Sequence, residues 1–220
     1  MSDTAGVIFD MDGTLIDSYE PHRQSWLIVA EKDGVTFTEE DYQKAFGSVS
    51  REIVSMLWPF EVSWEKCLEI DKEKEAVYRE MVKKRFPAMP GALGMIQTLK
   101  SRGFKLAVGS SGPKENVQLA NEQLGITPYL DAAVTGSDVE RGKPDPEIFL
   151  TAAQKMGLAP NRCVVVEDAV PGINAARAAG MKCIAILSTG HFPEEFIHAN
   201  HVIRSLAEVT PELITRLLTE

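Results

Sequence analysis

The chain has 220 residues, of which 44% are hydrophobic and 25% are charged, and its formal net charge is −9. Such a composition is typical of a globular protein with one large domain, or one domain and a smaller insert. The acidic balance argues against nucleic acids and anionic membranes as partners, because no broad basic face is available to bind them.

No apolar run exceeds five residues, whereas a transmembrane helix needs about 20. The first residues, MSDTAGVIFDMDG, contain no basic segment, so we expect no signal peptide. The three cysteines, Cys67, Cys163 and Cys183, are far apart and form no CxxC or Cys/His zinc motif. These features predict a location in the reducing cytoplasm.

Short apolar runs alternate with helical patterns along most of the chain. The runs predicted to be strands are 5–10, 105–110, 131–135, 162–167, 182–187 and 201–203. Apolar residues spaced three or four apart predict helices at 91–101, 113–124, 146–156 and 171–180. Strands that alternate with helices of this length are typical of βαβ units. The predicted fold class is therefore α/β, with a parallel sheet flanked by helices.

The segment 19–86 interrupts this alternation, because it shows helical periodicity and no convincing strand. Thr38-Glu-Glu-Asp41 matches a capping box, and 63–86 is a charged segment with one apolar stripe. A parallel sheet normally returns to its next strand after about one helix. We therefore predict a helical domain at 19–86, inserted into a core domain formed by 1–18 and 87–220.

Seven polar residues fall at the ends of predicted strands or in the loops after them, where ligands bind in open α/β sheets. They are Asp10, Asp12, Ser110, Ser111, Lys143, Glu167 and Asp168. Four carboxylates that converge repel one another and need a compensating cation. Oxygen ligands favour a hard divalent ion, and Mg²⁺ is the usual one where phosphate is handled.

A lysine, hydroxyl groups and backbone N–H groups beside such an ion form a phosphoryl site. One carboxylate can attack phosphorus and form an aspartyl-phosphate. A second carboxyl two residues further on can protonate the leaving oxygen and later activate water. The sequence therefore predicts phosphoryl transfer with Mg²⁺ as the cofactor.

Four segments resemble, in order, the four motifs of the haloacid dehalogenase-like (HAD) superfamily. They are DMDGTLIDS, VGSSG, GKPDPEIF and VVVEDAVPGINAARAAGM, and the match runs from residue 6 to about 187. The resemblance implies a Rossmann-like core, with an α-helical cap inserted after the first strand that closes over the active site.

The same resemblance implies a role for each strand-end residue. Asp10 is the expected nucleophile and a Mg²⁺ ligand. Asp12 is the expected general acid/base, and its backbone carbonyl is expected to bind Mg²⁺. The other expected contacts are Ser110, Ser111 and Lys143 to phosphate, and Glu167 and Asp168 to Mg²⁺.

Two segments of the insert, Pro21-His22 and Gly47-Ser-Val-Ser-Arg51, resemble the branch that holds β-phosphoglucomutase and sugar-phosphate phosphatases. This likeness implies that His22 lies near the acid/base and that Arg51 contacts the non-reacting end of the substrate. Lys74, four residues before Tyr78, is a further candidate. Asp12 argues against the dehalogenase branch, which lacks a carboxyl at that position.

The expected function is that of a Mg²⁺-dependent phosphatase acting on a small phosphorylated metabolite such as a sugar phosphate. A phosphomutase of the β-phosphoglucomutase type is the alternative, although typical mutases read DGVITDT where this chain reads DGTLIDS. A phosphate-accepting signalling receiver module is a third reading, and the long insert argues against it. We expect a monomer or a weak homo-oligomer.

Overall fold

The structure is a computed structural model that describes residues 4–46, 49–187 and 193–220. The chain divides into two compact units. Met1–Asp17 and Ala88–Glu220 form one, the α/β unit, and Ser18–Pro87 form the other, the helical unit. The role of the helical unit as a cap domain stays a prediction.

A parallel sheet forms the centre of the α/β unit. Within the described residues its strands are β1 (Gly6–Phe9), β2 (Lys105–Gly109), β3 (Ala132–Val134), β4 (Cys163–Glu167), β5 (Lys182–Ile186) and β6 (His201–Ile203). Their order across the sheet is β3-β2-β1-β4-β5-β6. Every residue of β1 and β4 is buried, as expected for central strands covered by helices on both faces. The predicted α/β fold with a parallel sheet is confirmed.

The described helices, in chain order, divide between the two units. The helical unit contains α1 (Tyr19–Lys32), α2 (Glu39–Ala45), α3 (Ser50–Leu57) and α4 (Trp64–Lys84). The α/β unit contains α5 (Ala92–Ser101), α6 (Lys114–Leu124), α7 (Glu147–Met156), α8 (Val170–Ala178) and α9 (Pro211–Thr219). None of these helices combines the length and the apolar character needed to cross a membrane.

The helical unit has its own hydrophobic core, in which Trp26, Tyr42 and Trp58 are among the buried side chains. The predicted capping box is present at the start of α2, since the Thr38 side chain accepts a hydrogen bond from the Asp41 N–H and the Asp41 carboxylate accepts one from the Thr38 N–H. This core and this cap explain why the segment forms separate helices without strands.

The two segments of the α/β unit that flank the helical unit pair with each other through their backbones. Ile16 forms an antiparallel bridge with Ala88, and the Met89 N–H donates to the Leu15 carbonyl at 3.0 Å. The α/β unit therefore closes its own backbone across the point where the helical unit is inserted.

Candidate active site

The register of the sheet places the candidate residues at one edge. Phe9 is paired with Val108 on one side and with Val166 on the other. The Asp10 N–H continues this ladder by donating to the Val166 carbonyl at 2.9 Å. The residues that follow these three strands therefore leave the sheet at the same level, where parallel strands bind ligands.

Three carboxylates form a buried cluster at this edge. Asp10, Glu167 and Asp168 each offer an oxygen atom, and these atoms lie within 4.8 Å of one another. The three residues are only 6%, 2% and 5% exposed, respectively. A surface group of acids would be solvated, so the burial of this group requires compensating positive charge.

Lys143 supplies part of that charge. Its Nζ donates to Asp10 Oδ1 at 2.5 Å and to Glu167 Oε1 at 2.7 Å. The same Nζ lies 4.9 Å from the centroid of the Phe149 ring, a distance typical of a cation–π contact. The lysine is thus held between two carboxylates and a buried aromatic face.

The charges of the cluster remain unbalanced without a further cation. The pKa of Asp10 is raised to about 7, mainly because the carboxyl group is buried; Lys143 lowers this pKa, and the neighbouring Glu167 and Asp12 raise it. Burial lowers the pKa of Lys143, but the adjacent Asp10 and Glu167 more than offset this and leave it above its ordinary value. One ammonium against three buried carboxylates is a donor set that fits a hard divalent cation.

Two glycines leave the space that the carboxylates occupy. A Cβ at Gly13 would overlap Asp168 Oδ2, and a Cβ at Gly172 would overlap Glu167 Oε1. Gly13 also has a φ of +78°, a region that other residues rarely adopt. The second Glu167 oxygen accepts the N–H groups of Asp168 and Ala169 at 2.8 and 2.7 Å. The acidic pair is therefore fixed by the turn between β4 and α8.

The predicted phosphate-binding hydroxyls follow β2. The buried Ser110 Oγ accepts the Gly112 N–H at 3.0 Å, so its own proton remains available to donate. A Cβ at Gly112 would lie 3.2 Å from Ser110 Oγ and 3.6 Å from Asp12 Oδ2, which places both side chains beside the same point. Ser111 is exposed. The Asp12 side chain is outside the three-carboxylate cluster; the predicted Mg²⁺ contact through its backbone carbonyl stays a prediction.

In the helical unit, His22 belongs to a cluster with Lys74. The His22 and Tyr78 rings stack at 4.1 Å between centroids, with 7° between their planes. The buried Lys74 Nζ contacts His22 Nδ1 at 2.8 Å and Glu75 Oε1 at 2.7 Å. An ammonium can only donate, so His22 Nδ1 accepts here and the proton of a neutral ring lies on Nε2.

Arg51, the other predicted substrate residue, lies at the start of α3. Its guanidinium carbon is 5.5 Å from the centroid of the Trp64 ring. Gly47 and Ser48, which belong to the predicted Gly-Ser-Val-Ser-Arg motif, lie outside the described residues.

Comparison with known proteins decides the family. Residues 4–180 match the family described as haloacid dehalogenase-like hydrolase. This match covers well over half of the chain. The chain belongs to this family.

Relatives of this haloacid dehalogenase-like hydrolase include phosphatases and mutases. It is 31% identical to the phosphorylated carbohydrates phosphatase of Thermotoga maritima, over 97% of this chain and 98% of that protein. It is 29% identical to the β-phosphoglucomutase of Bacillus subtilis, over 94% and 92% of the two chains. A solved HAD hydrolase of family IA, variant 3, from Entamoeba histolytica matches 99% of this chain and 100% of its own, with a TM-score of 0.91 and 26% identity.

These matches confirm the predicted family and the predicted phosphatase-type enzyme, with a mutase as the alternative. The roles assigned to individual residues stay predictions. Two features of this hydrolase were not predicted from the sequence: the Phe149 ring beside Lys143 and the space left by Gly172. The phenylalanine is part of GKPDPEIF, but nothing in that motif indicates which side chain its ring contacts.

Proposed function

We propose that the chain is a Mg²⁺-dependent phosphatase that hydrolyses a small phosphorylated metabolite, such as a sugar phosphate, through an aspartyl-phosphate on Asp10. The observation that carries this proposal is the buried cluster of Asp10, Glu167 and Asp168 with Lys143 between two of its carboxylates. The similarity to the phosphorylated carbohydrates phosphatase of Thermotoga maritima and to the β-phosphoglucomutase of Bacillus subtilis supports a phosphorylated carbohydrate as the substrate.

The carboxylates of Asp10, Glu167 and Asp168 are the residues that would hold Mg²⁺. Bound there, the ion would supply positive charge to the carboxylates and to the phosphate oxygens, as a Lewis acid. This is the charge that Lys143 alone does not provide.

The chain's own residues account for the two halves of the reaction. Lys143 holds Asp10 Oδ1, which leaves Oδ2 to attack phosphorus while the bond from phosphorus to the leaving oxygen breaks. Asp12 donates its proton to that oxygen and, as a carboxylate, then takes a proton from water. The water oxygen attacks phosphorus, phosphate leaves, and Asp10 is restored. Ser110 donates a hydrogen bond to a phosphate oxygen throughout.

Removal of divalent ions is expected to abolish turnover. The reason is that the buried carboxylates then repel the phosphate, and a bound cation is typically worth several kcal/mol of charge stabilisation, or about 10²–10³ in rate. Release of p-nitrophenol from p-nitrophenyl phosphate, measured with EDTA and after addition of Mg²⁺, tests this. Mg²⁺ should also raise the Tm of the EDTA-treated protein, because it binds only the folded chain. Turnover that is unaffected by EDTA would contradict the metal site.

The phosphatase and the mutase are distinguished by their products. A panel of phosphorylated metabolites assayed for phosphate release, with isomerisation of β-glucose 1-phosphate measured in parallel, makes this comparison. Isomerisation faster than phosphate release would establish the mutase. Membership of a hydrolase family argues against the third alternative, a signalling receiver module. Stoichiometric phosphorylation of the chain without catalytic release of phosphate would favour the receiver module instead.

Arg51→Ala is expected to affect a sugar phosphate more than a small aryl phosphate. We propose that Arg51 and His22 contact the substrate, and a lost charge-assisted hydrogen bond costs about 1.5–3 kcal/mol, or about 10- to 150-fold in kcat/KM. The values of kcat/KM for the best sugar phosphate of the panel and for p-nitrophenyl phosphate provide the comparison. Arg85→Ala, which removes an exposed arginine from the same unit, is the control. Equal losses on both substrates would show that Arg51 does not contact the sugar.

A cytoplasmic location and a monomeric or weakly self-associating state also stay predictions.

A further inference from the structure

The α/β unit contains a cavity at the end of the sheet opposite the carboxylates. It has a volume of about 720 Å³ and is bordered by residues that precede three central strands. Ala5 precedes β1, Phe104 precedes β2 and Arg162 precedes β4, while α9 contributes Arg216 and Leu218. We call it the amino-end cavity. Its volume is within the range of small-molecule sites, about 300–1,000 Å³.

The lining of the amino-end cavity is rich in positive charge. Among the described residues it includes Arg102, Arg162 and Arg216 and one carboxylate, Glu212, in a chain whose net charge is −9. Two of these arginines form long, exposed ion pairs: Arg102 Nη2 lies 3.5 Å from Glu212 Oε1, and Arg216 Nε lies 3.9 Å from Glu220 Oε1. Such pairs contribute little and leave the guanidinium groups able to bind another anion. A concave wall also concentrates the field of these charges.

An apolar surface lies beside the arginines. Phe104 and Leu218 border the cavity and are half-buried, and Ala5 is buried next to them. Guanidinium groups bind phosphate oxygens in pairs, whereas an aromatic ring and a leucine bind the carbon skeleton of a ligand. Together these side chains fit an organic phosphate better than a free inorganic anion.

We propose that the amino-end cavity binds an organic phosphate with at least two negative charges, of the nucleotide class, at a site separate from the catalytic carboxylates. Arg102 and Arg216 bind the phosphates, and Phe104 and Leu218 contact the organic part. A nucleic acid polymer does not fit, because the charge of the whole chain repels it while the cavity attracts only a small anion.

The arginines have a second physical role that the test must separate from binding. Arg102 is the C-cap residue of α5, and Arg216 lies in the last turn of α9, where a cation stabilises the helix dipole. Substitution of these arginines could therefore lower stability without any ligand. Ligand affinity and Tm must be measured on the same variants.

The test is isothermal titration of the full chain with ATP and with pyrophosphate, in EDTA so that no turnover occurs. We expect saturable 1:1 binding of ATP, at least about tenfold tighter than pyrophosphate, and weaker at high salt. Arg102→Gln with Arg216→Gln should weaken ATP binding at least about tenfold and leave the turnover of p-nitrophenyl phosphate unchanged. Lys84→Gln with Arg85→Gln, which removes the same charge from the helical unit, should leave ATP affinity within about twofold. Phe104→Ala should weaken ATP binding but not pyrophosphate binding.

Three results would overturn the proposal. These are no ATP binding to the unmodified chain, unchanged ATP affinity in the double arginine variant, and equal affinity for ATP and pyrophosphate. A lower Tm with unchanged ATP affinity would show that the arginines serve only the helix ends. None of these results depends on which substrate the catalytic site hydrolyses, so the proposed phosphatase is tested separately.

Discussion

Asp10→Asn is expected to lower phosphatase turnover by a factor on the order of 10⁴ or more. The amide has nearly the shape of the carboxylate, but it cannot attack phosphorus to form the acyl phosphate. Release of phosphate from p-nitrophenyl phosphate measures the loss. Mass spectrometry of acid-quenched enzyme should show a phosphoryl adduct on the unmodified chain and none on the variant.

The same substitution should not destabilise the metal-free fold. Burial raises the pKa of Asp10 to about 7, which means that the folded chain disfavours the charged carboxylate. An uncharged amide removes that cost, so we expect the Tm of the variant in EDTA to equal or exceed that of the unmodified chain. Asp17→Asn, the same change at an exposed position seven residues later, is the control and should retain activity. Near-normal turnover by the Asp10 variant would exclude Asp10 as the nucleophile.

Gly172→Ala is expected to disrupt the proposed cation site, although Gly172 has no side chain that could bind a cation or substrate. The added methyl group would overlap the end of Glu167, and the side chain would have to leave Lys143 and the N–H groups of Asp168 and Ala169. Outer-shell changes of this kind typically cost about 10–100-fold in metal affinity or activity. The Mg²⁺ concentration that gives half-maximal turnover, and the rate at saturating Mg²⁺, measure this loss.

The matched control is Gly94→Ala, the same change in another helix of the same unit. No atom lies within 4 Å of a Cβ built at Gly94. The alanine should stabilise α5 by about 0.5–1 kcal/mol, because it removes the conformational freedom of glycine in the unfolded chain. The Gly172 variant should instead lose about 1–3 kcal/mol of unfolding free energy. If both variants retain normal Mg²⁺ dependence, Glu167 has room to move and the proposed constraint is wrong.

The fold could be predicted from sequence because its strands are short apolar runs between helices of ordinary length. The central strands are buried on both faces, so their composition alone identifies them. The edge strand β6, which has only three residues, was predicted from a weaker signal. The helical unit is predicted from helical periodicity and from the lack of a convincing strand, and neither signal gives the packing of its helices.

The candidate site could be predicted only in part, for a similar reason. Parallel strands bring their carboxyl ends together, so the convergence of Asp10 with Glu167 follows from the fold class. The contacts of Phe149 with Lys143, and of Gly172 with Glu167, depend on how α7 and α8 lie against the sheet. The same is true of Lys74, which reaches His22 across 52 residues of sequence. No local pattern contains that information.

The bridge between Ile16 and Ala88 has a consequence for how such enzymes diversify. Because the α/β unit joins its own backbone at the two points where the intervening segment begins and ends, it does not need that segment to bring those points together. Insertions of different length and shape can be exchanged there at little cost to the remaining fold. The inserted segment can therefore vary while the α/β unit and its carboxylate cluster stay the same.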